Sequence, residues 1–349
     1  MEITRELWGT SPSGKEIFLY TIRNSKGAFV QLCSVGAGVV AIAVPDRDGN
    51  LRDVALGYPK AEDYFGDGPC SGKIPGRFAN RIGGGRFTLD GVEYQLPLNA
   101  GTASLHGGPE GFQNQVWESR AEGDAVEFLY YSADGEMGYP GALKTVARYE
   151  WSEENELRLT ITAACDAPTV VNLTNHTYFN LKGEGNGDIL DHELTLNCSE
   201  YLPTSTAQVP LGESESVAGT PMDFINPKLI GRDIKADFEA LKIGKGYDHC
   251  WLIDGYEPGQ IQSAAVLYSP ESGISLEILT TQPAVQVYTG NWLSGCPKGK
   301  SGRAYGDYEG VAIECQHLPD SPNKPEYPST VLRPGETFEE AIIFAFSTK

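Results

Sequence analysis

The chain has 349 residues, 40% hydrophobic and 21% charged, which suits either one large all-β domain or two smaller domains. Its 27 basic and 47 acidic side chains give a formal net charge of −20, a surface that repels a phosphate backbone and argues against a nucleic-acid partner. No run reaches the roughly 20 consecutive apolar residues of a membrane-spanning helix, and the start MEITRELWGT lacks the basic and apolar segments of a secretory leader, so a soluble cytoplasmic protein without a membrane partner is expected.

In chain order, the apolar run of residues 39–44 and the segment 51–56 flank Asp48-Gly49, a turn signal between two strands. Phe87 and Leu89, then Asp90-Gly91, then Val92, Tyr94 and Leu96 spell a tight hairpin. Leu157, Leu159 and Ile161 alternate with Arg158, Thr160 and Thr162, the mark of a half-buried strand. Residues 233–242 are the best helical candidate, about three turns long. Residues 266–268 and 274–279 bracket a Pro-Glu-Ser-Gly turn, and Pro334-Gly335 precedes a buried strand at 341–346. Many short strands, little helix, 41 glycines and 22 prolines predict an all-β sandwich or barrel. No linker, composition break or internal repeat divides it, so residues 1–349 read as a single domain.

Seven cysteines lie far apart with no C-x-x-C pair, so free thiols are expected rather than disulfides or a zinc site. Gly183-Glu184-Gly185-Asn186-Gly187 lacks the spacing of a dinucleotide loop, and Gly83-Gly84-Gly85 has no Lys-Ser/Thr behind it. H-E-x-x-H and G-x-S-x-G are absent. The motifs therefore predict neither a cofactor nor a metal.

Five histidines are present, and two have unusual surroundings. His176 sits among hydrogen-bonding residues in NLTNHTYFNL, where a core histidine would have apolar neighbours, and His106 precedes two glycines that allow a ligand close to the backbone. Glu314 ends the apolar run Gly310-Val311-Ala312-Ile313; burial there raises a carboxyl toward the range of a general base, whereas a strand-exit surface glutamate would be unremarkable. Arg81 and Asp248 complete the polar set, with a structural salt bridge and a turn cap as their ordinary readings. Trp251, Trp292 and Tyr288 offer aromatic faces, but core packing is the expectation for them.

The runs GRFANRIGGGRFTLDGVEYQL, SLHGG, NLTNHTYFNL, YLPTSTAQVP, GYDHCWLID, TQPAVQVYTGN and GVAIECQHLPDSPN occur in this order across about residues 70–325. In them the chain resembles the aldose 1-epimerase (galactose mutarotase) family. The resemblance implies a large antiparallel β-sandwich, the galactose mutarotase-like supersandwich, with a sugar site in an open cleft. It implies an isomerase that interconverts the α and β anomers of free hexoses, with His176 as general acid and Glu314 as general base. It also implies that Arg81, His106, Asp248 and Gln286 hold sugar hydroxyls, that Asn80 supports Arg81, and that the protein is a monomer or loose homodimer. Two departures stand out: extra residues 67–73 with Pro75 before Gly76, at one edge of the expected cleft, and Cys315 where a small hydroxyl residue is common after the glutamate.

Three other readings compete. A phosphosugar epimerase needs a basic cluster at the cleft rim, a sugar sensor has no use for both His176 and Glu314, and a glycosidase expects two carboxylates about the scissile bond.

Overall fold

Leu157, Leu159, Ile161 and Ala163 are buried while their neighbours face outward, so the alternation seen in the sequence is a ten-residue strand, Glu156–Cys165. In the computed structural model, which describes residues 1–349, this strand is the fourth of a nine-stranded antiparallel sheet. The final strand, Phe338–Thr348, inserts between it and Ile274–Thr280 and carries the predicted buried run at 341–346. A five-stranded meander covers the N-terminus from Glu2–Thr10 to Leu51–Asp53.

A six-stranded sheet carries the chemistry. Its order is Tyr178–Phe179, Val311–Gln316, Ala284–Tyr288, Asp248–Leu252, Glu200–Tyr201, Glu215–Ser216. Side chains alternate across it. Val285, Val287, Val311 and Ile313 point into a cluster of 58 buried residues that also takes Val30 and Ile42 from the meander and Leu159 and Ile278 from the nine-stranded sheet. The opposite face receives Gln286, Tyr288 and Glu314. The fold is thus an all-β antiparallel sandwich.

The hairpin of Arg86–Leu89 and Val92–Gln95 turns through Asp90 and Gly91, both at positive φ (50° and 82°), as a two-residue turn of matching twist requires. Two expectations are corrected. Residues 51–56 are not one strand: pairing with Gly38–Pro45 stops at Asp53, whose carboxylate accepts the N–H groups of Ile42 and Ala55 in place of ladder partners. Residues 54–56 cross instead to Tyr178–Phe179, where Leu56 N–H donates to the Tyr178 carbonyl and Asn180 N–H to that of Val54. Nor is 233–242 one helix. It divides between the short helices Ile230–Asp233 and Glu239–Gly244, because Phe238 is extended (φ −131°) and packs against the core. Packing outweighs propensity in so short an element. Neither helix is long and apolar enough to cross a membrane. All seven cysteines are free thiols.

Candidate active site

The polar residues around His176 turn out to be scaffolding. Asn172 donates to the carbonyls of Ala79 and His317, and Asn175 donates to the Gly72 carbonyl while accepting from Thr177. His176 itself is clamped through its backbone: its N–H donates to the Lys73 carbonyl and its carbonyl accepts from Gly72 N–H, both at 2.9 Å. Tyr178 pairs with Ala312, and extending that register by two residues sets His176 opposite Glu314. Their side chains meet, with Nε2 3.4 Å from Oε1, at 5% and 2% exposure. The acid and base candidates are thus in direct contact on one sheet face.

Asn80 and His106 lock each other. Asn80 N–H donates to His106 Nδ1 (3.1 Å), His106 N–H donates to the Asn80 carbonyl (3.0 Å), and Asn80 Oδ1 accepts from Arg81 N–H (2.8 Å). Both residues sit at positive φ, 61° and 53°, conformations that cost strain and concentrate at functional sites. Because Nδ1 accepts, the proton of neutral His106 is on Nε2. Its ring stands edge-on to that of His176 with centroids 5.3 Å apart.

A chain of hydrogen bonds orders the rest. Arg81 Nη2 donates to Gln208 Oε1 (2.8 Å), Gln208 Nε2 to Asp248 Oδ2 (2.6 Å), and Gln286 Nε2 to Asp248 Oδ1 (2.7 Å). Asn80, Arg81, His106, His176, Asp248 and Glu314 all line one cleft of about 460 Å³. Gln286, 3% exposed, lies behind Asp248 and orients that carboxylate without lining the cleft.

Burial dominates the electrostatics. It pushes the Glu314 carboxyl well above the usual carboxylate range, reinforced by the charge of Asp248 and opposed by Arg81. Burial pulls His176 down to about 4, against upward pulls from its hydrogen-bonded backbone and from Asp67 and Asp248. It also holds His106 well below the ordinary imidazole value, assisted by His176 and Arg81. Burial thus disfavours charge on both members of the His176–Glu314 pair, so a single proton shared between them is the favoured state at intermediate pH. Such a pair can take a proton from one oxygen and give one to another.

Four features escaped the sequence reading. Gln208, in the YLPTSTAQVP run, bridges Arg81 and Asp248; its type and its loop position (φ 57°) gave no signal without the fold. Gly66 and residues 67–69, the latter part of the segment expected at a cleft edge, do form one cleft wall. There Asp67 Oδ1 pairs with Lys73 Nζ at 2.6 Å, the two side chains being 2% and 0% exposed, and Lys73 also donates to the Tyr64 carbonyl. Trp251 is in the core as expected, but Trp292 is 63% exposed at the cleft rim and Tyr288 lines the cleft. No group of three or more His, Cys, Asp or Glu side chains converges as a metal site.

The sequence model of the aldose 1-epimerase family matches residues 19–345. A galactose mutarotase of Bos taurus is 40% identical over 347 residues, 99% of each chain. An aldose 1-epimerase of Escherichia coli (strain K12) is 38% identical over 339 residues, 96% of this chain and 97% of that one. Among solved structures, a galactose 1-epimerase of Lactobacillus acidophilus superposes with a TM-score of 0.86 at 29% identity, covering 99% of both chains. An aldose epimerase homologue of C. elegans does so at 0.87 and 30%, covering 95% of this chain and 98% of the other.

Proposed function

The chain belongs to the aldose 1-epimerase family, and we propose that it is an isomerase interconverting the α and β anomers of free hexoses such as galactose and glucose by opening and reclosing the ring. The observation that carries the reading is the buried contact of His176 Nε2 with Glu314 Oε1, 3.4 Å apart.

Ring opening removes a proton from the anomeric hydroxyl, forms the C1 carbonyl, breaks the bond from C1 to the ring oxygen and protonates that oxygen. Both oxygens are bonded to one carbon, so acid and base must converge on one point, as these two groups do. In the tautomer that reacts, the one shared proton sits on His176, so Glu314 takes the hydroxyl proton while His176 delivers one to the ring oxygen. The aldehyde rotates about C1–C2, the freed hydroxyl attacks the other carbonyl face, and each group reverses its role. No proton is gained or lost overall, and no redox change occurs. Arg81 and Asp248 hold distal hydroxyls by charge-assisted hydrogen bonds. His106 adds a donor from Nε2, and Asn80, Gln208 and Gln286 keep these groups aimed.

Arg81 is the only Lys or Arg on the cleft wall, which weighs against a phosphosugar substrate. The same reading has residues 1–349 acting as one unit in the cytoplasm, as a monomer or loose homodimer, on a free sugar and with no cofactor, nucleic acid or membrane partner. The net charge of −20 weighs against a nucleic-acid partner.

Polarimetry of freshly dissolved α-glucose and α-galactose tests the activity. The protein is expected to speed the approach to equilibrium, and no acceleration of either sugar would refute the reading. The rate should also be bell-shaped in pH, because turnover needs one proton on the pair. Below about pH 4, where His176 also protonates, the base is lost. At high pH the shared proton leaves from the raised Glu314 level and the acid is lost. A rate still rising below pH 4 would show that the pair does not set the profile.

A further inference from the structure

The inner end of the cleft accounts for one sugar ring, and its outer end is built differently. Trp292 stands there 63% exposed, yet its backbone is tightly held. Asn291 before it is fully buried, donating to the carbonyls of Gly244 and Tyr247 and accepting from Thr289. Leu293 after it is buried in an apolar cluster, and Trp292 N–H donates to the Tyr288 hydroxyl at 3.0 Å. The indole is therefore displayed by a rigid turn.

One face of the ring is covered. Lys245 Nζ sits 4.0 Å from its centroid, pinned at 2.6 Å by Asp307, whose other oxygen accepts Ser294 N–H. Lys245 is not part of the cleft wall, so the brace lies away from the cleft. Around the rim the lining is small: Gly66, Gly68, Ser294, Gly295 and Pro297. A Cβ placed on Gly66, Gly68 or Gly295 would meet nothing within 4 Å, so this end is open space. An exposed indole braced from behind, beside open space continuous with a polar pocket, suits the apolar face of a second pyranose.

We infer that Trp292 forms an outer subsite for the second ring of a reducing disaccharide, whose reducing-end ring lies against His176 and Glu314. The inference rests on the anomerase reading above. The reducing ring undergoes the same proton exchange, and the glycosidic bond is untouched.

Initial rates on glucose, galactose, cellobiose, lactose and maltose, for wild type, Trp292→Ala and Trp292→Phe, test it. The ratio of disaccharide to monosaccharide kcat/KM should fall about 10-fold in Trp292→Ala, mostly through KM, and recover in Trp292→Phe. An unchanged ratio, or a wild type active on glucose but on no disaccharide, overturns the subsite and leaves the anomerase intact. A wild type inactive on every sugar removes the anomerase reading and the subsite with it.

Discussion

Glu314→Gln is expected to lower kcat for anomer interconversion by about 10²–10⁴-fold, the usual contribution of one positioned acid–base group, with KM changed far less. Glutamine keeps the shape and the contact with His176 but cannot accept the proton of the anomeric hydroxyl. His176→Asn should cost a similar factor, and the double variant little more than either single one, because groups that pass one proton between them fail as a unit. Polarimetric rates, corrected for the spontaneous reaction, decide it: a Glu314→Gln enzyme within about tenfold of wild type would take the base role from this residue.

The same substitution should act on stability in the opposite sense. The folded-state pKa of Glu314 is raised by burial, so its protonated form stabilises the fold and that contribution is lost as pH rises through the folded value. Melting temperatures of wild type and Glu314→Gln should therefore diverge toward alkaline pH, with the variant the more stable.

Lys73→Met is expected to destabilise the protein by about 3–5 kcal/mol, because it strands the Asp67 carboxylate without its countercharge. Asp67 is 2% exposed, and its remaining hydrogen bond comes from Ser71 N–H. Removing both charges, as Asp67→Asn with Lys73→Met, should recover most of the loss, since a neutral pair avoids the desolvation of two ions. Urea denaturation of the four proteins, with unchanged m-values, gives the coupling directly. A loss under about 1 kcal/mol in Lys73→Met would mean that Asp67 finds another partner or water. The Lys73 carbonyl anchors His176 N–H, so activity should decline with the same variant.

Where local pattern and final packing agree, the sequence was legible. The alternation at Leu157 and the Asp90-Gly91 turn are written in side-chain period and backbone preference, and both form as read. Glu314 stood out because a carboxyl closing an apolar strand needs a purpose, and it faces the cleft at 2% exposure. What escaped notice depends on contacts between distant segments. Gln208 has meaning only between Arg81 and Asp248, which the chain brings together from separate elements. The Asp67–Lys73 pair looked like part of an extra segment because nothing local says that both side chains turn inward. Trp292 was read as core because tryptophan usually is, whereas burial of Asn291 and Leu293 on either side turns it outward. The break at Phe238 has the same origin, a local helical preference overruled by a core contact.

Glu314 lies in the strand Val311–Gln316 and His176 two residues before the strand Tyr178–Phe179, segments widely separated in the sequence and joined through the short pairing of those two strands. That closure is a long-range event, and folding dominated by such pairings is slow. After dilution from denaturant, compactness and most backbone structure should return before turnover does, because no segment shorter than the span between these strands can hold both the proton donor and its acceptor. Regained activity would then time the last step of assembly in this molecule, with the sugar as its clock.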